Sequence, residues 1–183
     1  MVQWMAFVGL SGTLIYISRA SLRAPGSHGF YRFFAWECIL TLILLNIEVW
    51  FRAPLAWHQL VSWVLLIVCL VPLYFGVRTL IARGKPVPLR ESEPQLLAFE
   101  KTSDLVTTGI YRYIRHPLYS SLLLLAWGAF FKAPAWPGGL LAMASTLFLY
   151  ATARADEMEC LRFFGQEYRA YMDHTKRFVP YIF

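Results

Sequence analysis

The chain has 183 residues, of which 58% are hydrophobic and only 15% charged, against about a quarter charged in an ordinary soluble domain. With 17% aromatic residues and a mean hydropathy of +0.49, it is too apolar for disorder and too apolar for a water-soluble globule. Its net charge of +6 comes from bases lying between or beside apolar blocks, with no alternation of bases and exposed aromatics on a polar background; this argues against nucleic acid and for anionic lipid headgroups.

Met1–Ser18 carries no charged side chain and is just long enough to span a bilayer as a helix. No basic stretch precedes it and no small-x-small cleavage site follows, so it reads as a first transmembrane helix rather than a signal peptide. Arg19–Arg32 is a polar link containing Pro25, Gly26 and Gly29. Phe33–Phe51 is the second span. Its two acids, Glu37 and Glu48, share a face with Thr41, and intramembrane acids face the bundle interior; arginines near the membrane are their expected partners. Ala53–Val77 is the third span, continuing toward Arg83, with Asn46 and His58 expected as interhelical polar groups. The polar stretch Arg83–Arg115 is broken by Pro86, Pro88 and Pro94. Pro117–Phe131 is a short fourth block and Ala133–Ala153 a full fifth, while Arg154–Phe183 predicts one amphipathic helix and a tail ending near Pro180. Cys38, Cys69 and Cys160 show neither C-x-x-C nor His/Cys ligand spacing, so neither a disulfide scaffold nor a metal site is expected.

The expectation is a single all-α integral-membrane domain of about five transmembrane helices, with three of them in residues 1–82 and two, together with the polar segments, in 83–183. Five spans put alternate loops on opposite sides. Arg52 and Lys132 are the only bases in the 2–3 and 4–5 connections, and the other 15 of the 17 Lys and Arg fall in or beside the 1–2 loop, the 3–4 loop and the C-terminal segment. By the positive-inside rule the N-terminus lies outside, and the long loop and tail share the cytoplasmic side, where they can build one site.

Two local patterns carry chemistry. In Gly109-Ile110-Tyr111-Arg112-Tyr113-Ile114-Arg115-His116-Pro117-Leu118-Tyr119, Pro117 suits the first position of a helix, which puts His116 near its N-cap. Free backbone N–H groups and the positive dipole end there favour an anion. The alternative is that Arg112 and Arg115 are snorkelling anchors and Tyr113 and Tyr119 an aromatic belt. The second pattern is Arg154-Ala155-Asp156-Glu157-Met158-Glu159, which leaves the fifth span on the same side. Helical spacing puts Arg154, Glu157 and Leu161 on one face, with Asp156 and Glu159 turned elsewhere; a merely solvated helix end is the plain alternative.

These residues carry a resemblance. The run from Leu105 through Gly109, Tyr111, Arg115-His116-Pro117 and Tyr119, then Asp156-Glu157, Phe164-Gly165-Gln166-Glu167-Tyr168, Tyr171 and Pro180, is similar to the isoprenylcysteine carboxyl methyltransferase and phospholipid methyltransferase superfamily. The similarity covers roughly the C-terminal 80 residues; the family's acidic pair is often Glu-Glu where this chain has Asp156-Glu157. It implies methyl transfer from S-adenosylmethionine, bound by the C-terminal half without a Rossmann fold, and no G-x-G-x-x-G is present. Carried over, Tyr111, Arg115, His116, Pro117, Tyr119 and Glu157 would bind the cofactor, with Arg115 and Glu157 as catalytic residues. The acceptor would be lipophilic and enter from the bilayer. A prenylcysteine-type carboxylate would need no base, whereas a lipid amine must first lose a proton. Two other readings stay open: a non-catalytic membrane sensor or assembly protein, and a nicotinamide-dependent reductase, since membrane sterol reductases resemble this superfamily in their C-terminal regions.

Overall fold

The computed structural model describes residues 2–83 and 104–182; Pro86, Pro88 and Pro94 lie outside the described residues. The elements are helical: α1 (Val2–Leu22), α2 (His28–Asn46), α3 (Trp57–Val68), α4 (Leu70–Arg83), α5 (Pro117–Phe130), α6 (Trp136–Phe164) and α7 (Gln166–His174), with 3-10 turns at Ile47–Val49 and Gly109–Arg112. Three stretches are long and apolar enough to cross a membrane, Gln3–Leu22, His28–Val49 and Trp57–Arg83. The apolar α5 has 14 residues, about 21 Å of helix against roughly 30 Å of hydrocarbon.

Burial is inverted relative to a soluble protein. Trp4, Met5, Val8, Val64, Ile67 and Leu70 are exposed, while Ser18, Asn46, Gln59, Ser62, Ser145 and Thr152 are buried. Without water to expel between helices, close packing depends on small side chains and interhelical hydrogen bonds. α2 packs on α1, α5 and α6, and α5 also packs on α3 and α4. Ala35, Ile39 and Leu42 of α2 meet Ala126 and Ala129 of α5 and Ala142, Leu149 and Ala153 of α6. Gly128 allows α3 its closest approach to α5, because a Cβ there would sit 2.8 Å from Leu66 Cδ2.

Hydrogen bonds tie the same helices at one end of the bundle. Asn46 Nδ2 donates to the Ala129 carbonyl at 2.9 Å, Ser62 Oγ to that of Gly128 at 2.7 Å, and Gln59 Nε2 to that of Lys132 at 3.0 Å. His58 Nδ1 lies 3.1 Å from the Phe131 carbonyl, so Asn46 and His58 are the interhelical polar groups expected. Lys132 is fully buried, its Nζ donating to Gln59 Oε1 at 3.0 Å and lying 3.3 Å from the centre of the Trp63 ring.

The third span stands as one stretch, Trp57–Arg83, but it divides into α3 and α4 at Cys69, because Pro72 has no N–H to give the Val68 carbonyl. Two expectations are corrected. Glu37 and Glu48 pair with α1 rather than with arginines: Ser11 Oγ donates to Glu37 Oε2 at 2.6 Å and Gln3 Nε2 to Glu48 Oε1 at 2.8 Å. Finally, the charged segment after the fifth block is not a separate helix. α6 runs 29 residues through it to Phe164, and the break comes at Gly165, whose φ of +60° and ψ of −126° suit only glycine.

Candidate active site

Local sequence dictates the entry to α5. His116 is its N-cap and Pro117 its first residue, where a missing N–H costs nothing. Just upstream, the backbone is extended and pairs with the tail after α7: Arg115 N–H donates to the Lys176 carbonyl at 2.8 Å, His116 N–H to that of Arg177 at 3.1 Å, and Lys176 N–H to that of Tyr113 at 3.1 Å. Ser120 Oγ adds a bond to the Phe178 carbonyl at 2.8 Å, and Tyr171 Oη one to that of Tyr111 at 2.6 Å. The tail is thus stitched along the motif, and it delivers Arg177 to α6.

Glu157 is the hub. Its Oε1 accepts from Arg115 Nε at 2.9 Å and Arg177 Nε at 3.0 Å and lies 3.2 Å from His116 Nε2, while Oε2 accepts from Arg177 Nη2 at 2.6 Å. Arg115 also donates from Nη1 to the Met172 and Thr175 carbonyls. On the other edge of the imidazole, His116 Nδ1 lies 3.4 Å from Asp156 Oδ2, which also accepts from Tyr119 Oη at 3.2 Å. The His116 and Tyr119 rings stack with centroids 5.3 Å apart.

Consecutive carboxylates on α6 therefore straddle one histidine. Burial alone would push the His116 pKa down, but hydrogen bonds to Asp156 and Glu157 outweigh it and hold the pKa above its ordinary value. Burial would likewise raise both acids, yet His116 and Arg177 bring Glu157 down to about 2. His116, assisted by the charge of His28, holds Asp156 well below the usual carboxylate range. The cluster is an ionised network buried at the end of the helix bundle, and two carboxylates beside stacked aromatic faces suit a cation.

Of the residues singled out in the sequence, Arg115, His116, Tyr119 and Glu157 converge. Pro117 is buried against α4, near Gly76. Tyr111 is buried in the 3-10 turn, and its carbonyl takes the Tyr171 hydroxyl. Arg112 and Tyr113 are exposed, as anchors would be, but Tyr119 is buried and is not part of a belt. Two sequence expectations about faces fail. Asp156 is not turned away, because adjacent helical residues are only about 100° apart and His116 is wide enough to bridge them. Arg154 is exposed and does not share the Glu157 environment. Sequence reasoning missed Arg177, which carries no local signal, and His28, whose Nδ1 is 2.6 Å from Glu159 Oε2 across 131 residues of chain.

Residues 94–167 match the family model described as phospholipid methyltransferase. Methanethiol S-methyltransferase 1 of Bradyrhizobium diazoefficiens is 29% identical over 77 residues, covering 41% of this chain and 26% of that protein, so the matched stretch spans about a quarter of the relative's length. No solved structure matches the chain. The segment supplying His116, Tyr119, Asp156 and Glu157 thus lies within the stretch that is similar to phospholipid methyltransferases.

Proposed function

We propose that this protein is an integral-membrane methyltransferase that moves a methyl group from S-adenosylmethionine to a lipophilic acceptor. The observation that carries the reading is the His116–Asp156–Glu157 cluster with Tyr119 stacked on it, built by the segment that matches the family. When bound, the donor supplies an electrophilic methyl group on a sulfonium. The residues present fit such a group: Tyr119 offers an aromatic face to a sulfonium, and Asp156 offers a carboxylate to an ammonium. Glu157 holds Arg115, Arg177 and His116 in register, so its part is to fix the shape of the site. Arg115 commits Nε to Glu157 and Nη1 to main-chain carbonyls and so orients this wall, while its Nη2 and the N–H groups at the start of α5 are the candidate partners for the donor's carboxylate. Positioning and exclusion of water contribute most to an in-line displacement of this kind.

The 15-to-2 distribution of bases supports an orientation with the N-terminus outside and this site facing the cytoplasm, with α5 and α6 as the fourth and fifth crossings. The acceptor reaches the site from the bilayer between helices. The named relative supports a thiol as a candidate acceptor beside the carboxylate and the amine. Calorimetry on the detergent-purified protein with S-adenosylmethionine and with NADPH tests the reading: binding of the first alone is expected, whereas binding of neither would leave a non-catalytic protein and binding of NADPH alone a reductase. Transfer of label from radiolabelled S-adenosylmethionine into a membrane lipid extract then separates a base-labile ester from a stable amine or thioether.

A further inference from the structure

His28 opens α2 and is fully buried. Its position is set by a two-point contact with one carboxylate of α6, the main-chain N–H donating to Glu159 Oε1 at 2.9 Å and Nδ1 lying 2.6 Å from Glu159 Oε2. In the neutral ring a carboxylate on Nδ1 selects the tautomer with the proton there and leaves the Nε2 lone pair free; in the charged ring both nitrogens carry protons. Nε2 is completely enclosed and meets no hydrogen-bond partner. Leaving a buried ring nitrogen unsatisfied is costly, so the arrangement calls for a partner from outside the chain. Glu159 lies one turn beyond Asp156 on α6, so His28 stands beside the Asp156–His116–Tyr119 cluster, and the two charges act on each other.

We propose that His28, oriented by Glu159, is the general base for the methyl acceptor, and that the acceptor is accordingly protic, a thiol or an amine rather than a carboxylate. This rests on the methyltransferase reading above. In the step, the acceptor's S–H or N–H proton moves to His28 Nε2 and the freed lone pair forms a bond to the methyl carbon. The electron pair of the broken carbon–sulfur bond stays on the donor's sulfur, giving S-adenosylhomocysteine. The charged groups that act on His28 are Glu159 and Asp156 on α6 and Arg32 one turn along α2.

His28→Asn tests this, because the amide nitrogen can replace Nδ1 toward Glu159 while Nε2 is lost. Octanethiol, dodecylamine and dodecanoate are offered to the full chain in detergent, and S-adenosylhomocysteine binding is measured by calorimetry. Wild type is expected to methylate the thiol or the amine, with a rate that rises as His28 deprotonates. His28→Asn should lower that rate about a hundredfold or more and lose this pH limb, with affinity for S-adenosylhomocysteine held within about threefold, since a base for the acceptor does not touch the product. Should His28→Asn not fold, Glu159→Gln is read in the same way, with a smaller loss of rate at unchanged affinity. Three results overturn the assignment: a variant as fast as wild type, a variant that loses S-adenosylhomocysteine binding in step with rate, or a wild type that methylates dodecanoate alone. A wild type that neither binds S-adenosylmethionine nor methylates any probe would instead overturn the methyltransferase reading itself.

Discussion

Arg177 closes a fork on Glu157, Nε to Oε1 at 3.0 Å and Nη2 to Oε2 at 2.6 Å, joining the tail after α7 to the helix that bears both site carboxylates. A planar guanidinium can make both bonds at once and a lysine cannot. Arg177→Ala leaves Glu157 short of its two-point partner in a largely buried setting, so it should cost about 3 kcal/mol. Arg177→Lys should recover less than half of this. Thermal unfolding in detergent provides the comparison, and a variant matching wild type would show that the tail is held by its main-chain pairing alone.

Stability should peak in mildly acidic solution. His116 has a raised pKa in the folded state, so its contribution is complete below its ordinary 6.5 and is lost as pH rises through the folded value. Glu157 is lowered from 4.5 to about 2, so its contribution is present above 4.5 and is lost as pH falls toward 2. The melting temperature should therefore fall on both sides of the interval from about 4.5 to 6.5. His116→Asn should make the alkaline slope shallower and leave the acidic one, and an unchanged alkaline slope would assign it to His28, the other buried histidine paired with a carboxylate.

Asp156 and Glu157 are expected to fail differently when neutralised. Four donors from the protein already surround Glu157, whereas Asp156 Oδ1 meets only Cys160 Sγ, at 3.7 Å, among the described residues. Asp156→Asn should weaken S-adenosylmethionine binding by about 1.5–3 kcal/mol, roughly ten- to a hundredfold, and lower the melting temperature less than the change at Glu157 does. Glu157→Gln should lower both affinity and melting temperature. The reverse ranking in calorimetry would make Glu157 the direct ligand.

Gly128 should tolerate no side chain while Leu66 faces it. Gly128→Ala brings a Cβ within 2.9 Å of Leu66 Cγ as well as 2.8 Å of Cδ2, so α3 must move off α5, at a cost of about 1–3 kcal/mol. Pairing it with Leu66→Ala should restore part of the loss, a coupling that a double-mutant cycle on unfolding free energies would detect.

What could be read in advance was what short stretches of chain settle by themselves. Pro117 after His116 marks a helix start because proline lacks a donor and helix N-termini need none there, and α5 begins at that residue. The apolar blocks became α1, α2 and α3–α4 because hydropathy along one segment needs no partner to be recognised. The partners of buried charges were harder. Glu37 was expected to find arginine, yet a hydroxyl one helix away satisfies it, and nothing local distinguishes the two. Arg177 and His28 reach the site from segments 20 and 131 residues distant from their carboxylates, contacts that only the assembled bundle creates. The pairing of Asp156 with Glu157 around one imidazole escaped because a helical wheel assigns faces to side chains without regard to the width of what they grip.

The unbroken run of α6 sets a ruler between the two ends of the molecule. Trp136, 80% exposed, begins the helix, and Asp156 follows twenty residues later, about 30 Å along the axis. That length equals the hydrocarbon thickness of a typical bilayer, and an exposed tryptophan favours the headgroup boundary. With α6 as the fifth crossing proposed above and Trp136 seated at one boundary, the carboxylates emerge at the other only if the membrane is no thicker than this stretch of helix. Lipids with longer acyl chains would draw Asp156 and Glu157 into hydrocarbon, or force the helix upright and the bilayer to thin around it. Acyl-chain length in a reconstituted membrane thus becomes a control on how far the carboxylates stand from water, acting through a helix that itself has no need to change shape.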